Sequence, residues 1–255
     1  MLFAEQPFLD RFERAARAGF DAVEFLFPYA HAPSEIGQRL EANGLAAILF
    51  NTPPGDWDAG ERGMACIPGR EEEFRAGVMR ALEYASALGV GNVHVLAGMA
   101  PAGVAPAQVR RTYVDNLRFA ATQFAAAGAR ALIEPINGFD MPGYYLCRTA
   151  QALSVIDEVA APNLLLQYDL YHAQRSEGEL AATIETHLAK IGHMQIADNP
   201  GRHEPGSGEI NFAFLFAHVD RIGYAGHIGC EYRPLGATEA GLDWFRDATR
   251  HARRP

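Results

Sequence analysis

The chain has 255 residues, a length typical of one α/β barrel. It carries 31 acidic and 22 basic residues, which gives a formal net charge of −9. This excess of acid argues against a nucleic-acid-binding protein, which needs clustered Lys and Arg on one face. The one basic cluster, Arg250, Arg253 and Arg254, is interpreted as a solvated helix end without a function.

Cysteine use and hydropathy point to a cytoplasmic protein. Cys66, Cys147 and Cys230 are odd in number and show no CxxC spacing, so neither a disulfide framework nor a structural zinc site is expected. The N-terminal residues include charged side chains and do not resemble a signal peptide. No segment approaches the ~20 apolar residues that a membrane-spanning helix needs, and we expect no membrane partner.

Short apolar runs alternate with amphipathic stretches along the whole chain. The runs predict seven strands, at residues 21–26, 45–50, 92–97, 130–136, 163–169, 191–197 and 226–232. The amphipathic stretches predict eight helices, at residues 7–18, 33–43, 71–89, 106–127, 149–160, 177–189, 211–222 and 238–253.

This rhythm predicts a single α/β domain over residues 1–255, a TIM (β/α)8 barrel. Such a barrel has eight strands, but Met1, Leu2 and Phe3 leave no room for a full strand ahead of the first helix. We therefore expect the first strand to be truncated or missing at the N-terminus. An open seam would leave strand edges with unpaired backbone groups.

Four polar side chains end four of the predicted strands: Glu134, Asp169, Gln195 and Glu231. They are separated by 35, 26 and 36 residues, about the length of one strand–loop–helix–loop unit. Because the carboxyl ends of barrel strands meet at one mouth, we expect these side chains to converge. Three acids and an amide suit a hard divalent cation, Mg²⁺ first and Mn²⁺ second. Buried ion pairs or caps are the alternative, but no run of basic partners is evident.

Several segments resemble the hydroxypyruvate isomerase family of xylose-isomerase-like TIM barrels, which includes 2-oxotetronate isomerase relatives. They are 25–29, 94–98, 134–137, 195–206 and 208–212. The resemblance implies interconversion of hydroxypyruvate and tartronate semialdehyde, or of a 2-oxotetronate homologue, by metal-assisted proton transfer through an enediolate. It places the catalytic glutamates at Glu134 and Glu231 and the remaining metal ligands at Asp169 and Gln195. The N-terminus departs from the family, whose members carry a first strand.

Five further side chains are candidates for binding a small hydroxy-oxo acid. His172 follows Asp169 and could donate to a substrate hydroxyl, although a loop histidine is more often a structural hydrogen-bonding residue. His94 is predicted to point into the barrel, as is Glu24. The others are Arg202 and Glu204 in one loop and Arg70 in another, where a guanidinium could grip a carboxylate or simply be solvated.

Other functions stay open at this point. A sugar epimerase or an inosose dehydratase-like lyase would use nearly the same acids, and a non-catalytic ligand-binding barrel is possible in another class. A related metal-dependent nuclease would need several zinc-binding histidines and a basic groove. Homo-oligomerisation is expected only from the prevalence of symmetric oligomers.

Overall fold

The computed structural model describes residues 1–252, with side chains as far as residue 248. Arg253 and Arg254, the side chain of Arg250 and the last residue of the predicted helix 238–253 lie outside that part. The described chain contains seven strands: β1 (Ala22–Phe25), β2 (Ala46–Asn51), β3 (Asn92–His94), β4 (Arg130–Ile133), β5 (Leu164–Asp169), β6 (Ile191–Ile196) and β7 (Ile228–Cys230).

The strands form one parallel sheet in the order β1 to β7, each paired with its neighbours in sequence. Among the described residues no ladder joins β1 to β7. A cavity of about 930 Å³ lies between these two strands, and Leu2, Val23, Ile228 and Trp244 are part of its lining. The sheet is therefore a nearly closed TIM barrel that lacks one strand.

Nine α-helices alternate with the strands in the described chain. They are α1 (Arg11–Ala18), α2 (Pro33–Asn43), α3 (Glu71–Leu88), α4 (Pro106–Ala126), α5 (Thr149–Val159), α6 (Leu170–Ser176), α7 (Leu180–His187), α8 (Phe212–Arg221) and α9 (Asp243–Ala252). Short 3-10 helices occupy Phe8–Asp10, Leu188–Lys190 and Thr238–Gly241. No helix in residues 1–252 is long and apolar enough to cross a membrane.

Helix α6 is absent from the sequence prediction, which placed a loop after Asp169 and one helix over residues 177–189. That prediction was wrong, because Asp169 caps a new helix directly at the end of β5. Its side chain accepts a hydrogen bond from the backbone N–H of Tyr171 at 2.8 Å, which is what an N-cap carboxylate does. The next helix, α7, starts only at Leu180.

Several predicted strands were also too long. β3, β4 and β7 end at His94, Ile133 and Cys230, before the predicted ends at 97, 136 and 232. The residues that follow these strand ends leave the regular hydrogen-bonded ladder and form the mouth of the barrel.

Alternate residues of each strand face opposite sides of the sheet, as the period of two requires. Ala131 and Ile133 of β4 pack in the apolar layer between sheet and helices, as do Met194 and Ile196 of β6. The residues between them face the barrel interior, where Gln167 and Gln195 hydrogen-bond. This alternation positions the polar side chains described next.

Candidate active site

Four side chains meet at the carboxyl end of the barrel: Glu134 after β4, Asp169 at the end of β5, His172 in α6 and Glu231 after β7. One ligand atom from each lies within 4.8 Å of the others. We call these four residues the carboxylate–histidine cluster. Three of them are buried and Glu231 is partly exposed, so the fold concentrates negative charge where little water can screen it.

Burial and mutual repulsion disfavour ionisation in this cluster. Burial raises the pKa of Glu134 well above its ordinary value, and the charges of Glu231 and Asp169 raise it further. Burial also raises the pKa of Asp169 and of Glu231, although the nearby Arg202 opposes both shifts. Within the described part of the chain, positive charge therefore does not offset the burial of these three acids.

Arg202 places a guanidinium against two of these acids. Its guanidinium lies 3.0 Å from Glu231 Oε2 and 3.7 Å from Asp169 Oδ2. The backbone of Arg202 is in the left-handed region with φ 56°, an uncommon conformation for a residue with a side chain. Its N–H donates to the carbonyl of Asp198, and its carbonyl accepts from the N–H of Arg233. These bonds hold the guanidinium over the mouth.

Two buried histidines face Glu134. His94 Nδ1 is 3.5 Å from Glu134 Oε2, and His172 Nε2 is 3.9 Å from Glu134 Oε1. Burial lowers the pKa of each to about 3, helped for His94 by the charge of His172 and for His172 by Arg202. Both rings are neutral at physiological pH, so they do not neutralise the acids.

Gln195 lies on β6 beside Asp169 in the register of the sheet. Its Nε2 donates to Glu24 Oε1 at 2.8 Å, and its Oε1 accepts from Gln167 Nε2 at 2.6 Å. Glu24 also pairs with His193 at 2.7 Å. Gly229 leaves the room that this needs, since a Cβ there would lie 2.2 Å from a Glu24 oxygen. Because Glu24 accepts from the amide nitrogen, the amide oxygen of Gln195 is turned away from Glu24.

The donor set fits a divalent cation. Glu134 Oε1 and Asp169 Oδ2 are buried and have no hydrogen-bond partner among the described residues, which is costly for acceptor oxygens unless something else coordinates them. Carboxylate and amide oxygens are the ligands that Mg²⁺ and Mn²⁺ prefer. A cation held by Glu134, Asp169 and Glu231 would supply the missing positive charge.

Comparison with known proteins identifies the family. The family model for the xylose isomerase-like TIM barrel matches residues 12–248. The chain belongs to the xylose isomerase-like TIM-barrel family. This confirms the fold expected from the sequence resemblance.

Relatives within this family are similar over nearly the whole chain. The 2-oxo-tetronate isomerase of Cupriavidus necator is 53% identical over 246 residues, covering 96% of this chain and 95% of its own. The hydroxypyruvate isomerase of Escherichia coli is 54% identical over 245 residues with the same coverage.

Two solved structures share the fold of this chain. A crystal structure described as AP endonuclease, family 2, from Brucella melitensis is 46% identical, with a TM-score of 0.93 and coverage of 96% of this chain and 95% of that one. The 3-keto-D-glucoside 4-epimerase of E. coli, at 24% identity and a TM-score of 0.81, covers 96% of both chains and shows the same fold.

In this chain, two of the predicted substrate-binding residues, Arg70 and Glu204, have partners within the protein. Both Glu61 and Glu73 hold the guanidinium of Arg70, and the Glu73 contact measures 2.7 Å. Glu204 Oε2 accepts from the backbone N–H of Leu235 at 3.0 Å. Arg70 thus stabilises the start of α3, and Glu204 ties its loop to the segment after β7.

Three side chains near the cluster were not among the predicted site residues. Asn137 contacts His172 at 2.6 Å, Asp140 lies 3.8 Å from Arg202, and Glu24 holds Gln195. Asn137 stands three residues after Glu134 in Glu-Pro-Ile-Asn, so its place at the mouth was readable from the motif. The contact of Asp140 depends on how the loop after β4 folds back, which the sequence pattern does not encode.

Proposed function

We propose that this chain is an isomerase of small hydroxy-oxo acids that interconverts hydroxypyruvate and tartronate semialdehyde, or the corresponding forms of a 2-oxotetronate. The observation that carries the proposal is the carboxylate–histidine cluster at the barrel mouth, with one glutamate directly after β4, another directly after β7, and an arginine beside them. The names of the relatives that are more than 50% identical point to the same reaction.

A divalent cation bound to Glu134, Asp169, Gln195 and Glu231 would polarise the carbonyl of the substrate and acidify the neighbouring C–H. Mg²⁺ is the cation we expect first and Mn²⁺ second, because every ligand atom in this set is an oxygen. The unpartnered oxygens of Glu134 and Asp169 support this choice.

Glu134 and Glu231 are the proposed proton carriers. They come from strands three positions apart in the sheet, so they approach a bound substrate from different sides. One carboxylate removes the proton from the carbon that bears the hydroxyl, which gives an enediolate. The other delivers a proton to the adjacent carbon, while the hydroxyl proton passes to the former carbonyl oxygen. Each general acid–base step contributes roughly 10²- to 10⁴-fold to the rate.

Arg202 is the proposed partner of the substrate carboxylate. A guanidinium binds a carboxylate through two parallel hydrogen bonds. In the part of the chain that the structure describes, the Nε of Arg202 has no hydrogen-bond partner, so a donor is left for the ligand. His172 and His94 are proposed to contact the substrate oxygens as neutral groups.

The nuclease function suggested by the name of the Brucella structure fits less well. The chain has a net charge of −9, and the possible metal cluster in its described part contains one histidine. A phosphodiester backbone would meet repulsion there.

The cysteines are free thiols, which agrees with the proposed cytoplasmic location.

The test is an isomerisation assay with hydroxypyruvate, 2-oxotetronates and a neutral ketose in parallel, with Mg²⁺, Mn²⁺ or a chelator. We expect turnover of the acidic substrates that the chelator abolishes. Glu134→Gln and Glu231→Gln should each lower kcat by at least roughly 10²-fold, whereas the exposed control Glu41→Gln should not. A folded protein that converts only the neutral ketose, or none of them, contradicts the proposal.

A further inference from the structure

Asn137 and His172 form a buried pair at the edge of the site. Asn137 is fully buried and His172 is 3% exposed. The side-chain nitrogen of Asn137 lies 2.6 Å from His172 Nδ1, and the backbone N–H of Asn137 donates to the same Nδ1 at 3.5 Å. One ring nitrogen therefore faces two nitrogens of the same residue.

The orientation of the Asn137 amide is fixed by its other end. Its Oδ1 accepts from the backbone N–H of Phe139 at 3.0 Å and from that of Asp140 at 2.8 Å. A flipped amide would point its NH₂ group at these two N–H donors and leave all of them without an acceptor. The NH₂ group of Asn137 must then donate to His172, and Nδ1 must accept.

A neutral imidazole has one N–H, so a ring whose Nδ1 accepts carries its proton on Nε2. In His172 that nitrogen points into the cluster, 3.6 Å from Asp169 Oδ2 and 3.9 Å from Glu134 Oε1. We propose that Asn137 is a positioning residue that fixes this tautomer and makes His172 a hydrogen-bond donor in the site instead of a ligand of the cation.

The consequence for catalysis rests on the proposed function. A protonated Nε2 has no lone pair for a cation, so His172 is left to donate to an oxygen of the substrate. Because Nδ1 accepts from Asn137, it carries no proton, so the ring keeps its single N–H on Nε2.

The variant Asn137→Asp separates these roles. A carboxylate at this position still accepts from Phe139 and Asp140 but has no proton to donate. The proton of His172 should therefore move to Nδ1, where it bonds the new carboxylate, and Nε2 should become an acceptor. The matched control is Asn43→Asp, which makes the same change in α2, where Asn43 donates to the carbonyl of Arg39.

The readout is nitrogen NMR of protein labelled with ¹⁵N-histidine, with the His172 signals assigned by their absence in His172→Gln. We expect protonated Nε2 and unprotonated Nδ1 in the wild type and in Asn43→Asp, both with and without Mg²⁺. In Asn137→Asp we expect the reverse, with a kcat lower by roughly tenfold or more and a smaller change in KM.

Three results would overturn the inference: a proton on Nδ1 of wild-type His172, loss of the Nε2 proton when Mg²⁺ binds, or a reversed tautomer with unchanged kcat. The wild-type spectrum decides even if Asn137→Asp does not fold. It also decides if no isomerase activity is found, since that result would refute the proposed function and leave the tautomer measured.

Discussion

Glu134 is a buried acid that we expect to destabilise the folded protein when no cation is bound. The pKa of its carboxyl is raised in the folded protein, first by burial and then by the charges of Glu231 and Asp169. Because this pKa is raised on folding, Glu134 does not lower the free energy of unfolding below its unfolded pKa of about 4.3. The free energy of unfolding then falls as the pH rises through the folded pKa.

Glu134→Gln should therefore stabilise the metal-free protein, and by more at pH 8 than at pH 5. A gain of about 1 kcal/mol raises Tm by roughly 2–4 °C in a domain of this size, so calorimetry in the presence of a chelator can detect it. The exposed variant Glu41→Gln should show no such pH trend. A difference in Tm that stays constant between pH 5 and pH 8 would contradict the ionisation argument.

Arg202 carries the proposed preference for an acidic substrate. Arg202→Lys keeps the charge but loses the two-pronged geometry, so we expect KM for hydroxypyruvate to rise roughly ten- to a hundredfold. KM for a neutral ketose, if it is turned over at all, should change less. Arg17→Lys on exposed α1 is the control, and equal effects on acidic and neutral substrates would argue against a carboxylate contact.

The sequence predicted the positions of the acids at strand ends better than it predicted the partners of the loop residues Arg70 and Glu204. Glu134, Asp169 and Glu231 are set by strand parity and by the position of a strand end, both of which are local patterns. Arg70 and Glu204 have long side chains whose partners, Glu61, Glu73 and the backbone of Leu235, are brought near by loops. Loop paths depend on tertiary contacts, so these partners were not predictable.

The loop between β6 and α8 is the element that places Arg202, and Asp198 organises it. The carboxylate of Asp198 accepts from four backbone N–H groups, those of Asn199, Gly206, Gly208 and Ile210. Gly208 packs so tightly that an added Cβ would lie 2.1 Å from the carbonyl oxygen of Asn199. The loop is thus folded around one side chain.

Asp198→Asn replaces one of the two accepting oxygens with an NH₂ group and should loosen this loop. We expect kcat/KM to fall by about tenfold or more, because Arg202 loses its fixed position and hydrogen bonds to a charged group are worth about 1.5–3 kcal/mol. Limited proteolysis should cut faster within residues 199–210. The same change at exposed Asp58 should alter neither property, and an unchanged cleavage rate in Asp198→Asn would refute the role.

Element boundaries were predictable wherever the chain marks them locally. Helix α2 was placed correctly, since Pro33 begins it and Gly44, with φ 64°, ends it. Helix α6 was missed because Asp169 serves two elements at once, as the last residue of β5 and as the N-cap of the helix. A strand pattern that runs directly into a cap leaves no turn signal to read.

At the scale of the whole molecule, the order of the seven strands follows the order of the chain, as βα repetition predicts. The repeat also predicted that one strand would be absent. The sequence could not give the size or lining of the resulting cavity of about 930 Å³, since these depend on how β1, β7, α1 and α9 settle around it.

Strands β1 and β7 should be the least protected part of the sheet, because each pairs on one side only among the described residues. In hydrogen–deuterium exchange we expect peptides spanning Ala22–Phe25 and Ile228–Cys230 to exchange roughly tenfold or more faster than one spanning Leu164–Asp169, which pairs on both sides. Uniform protection across all seven strands would contradict the open gap.

Acids from separate strands are proposed to converge on one divalent cation, and diffraction from crystals soaked in Mn²⁺ tests this convergence. We expect an anomalous peak about 2.0–2.6 Å from oxygens of Glu134, Asp169, Gln195 and Glu231, with His172 outside the coordination shell. A well-ordered Mn²⁺ bound elsewhere, or none at saturating concentration, would contradict it.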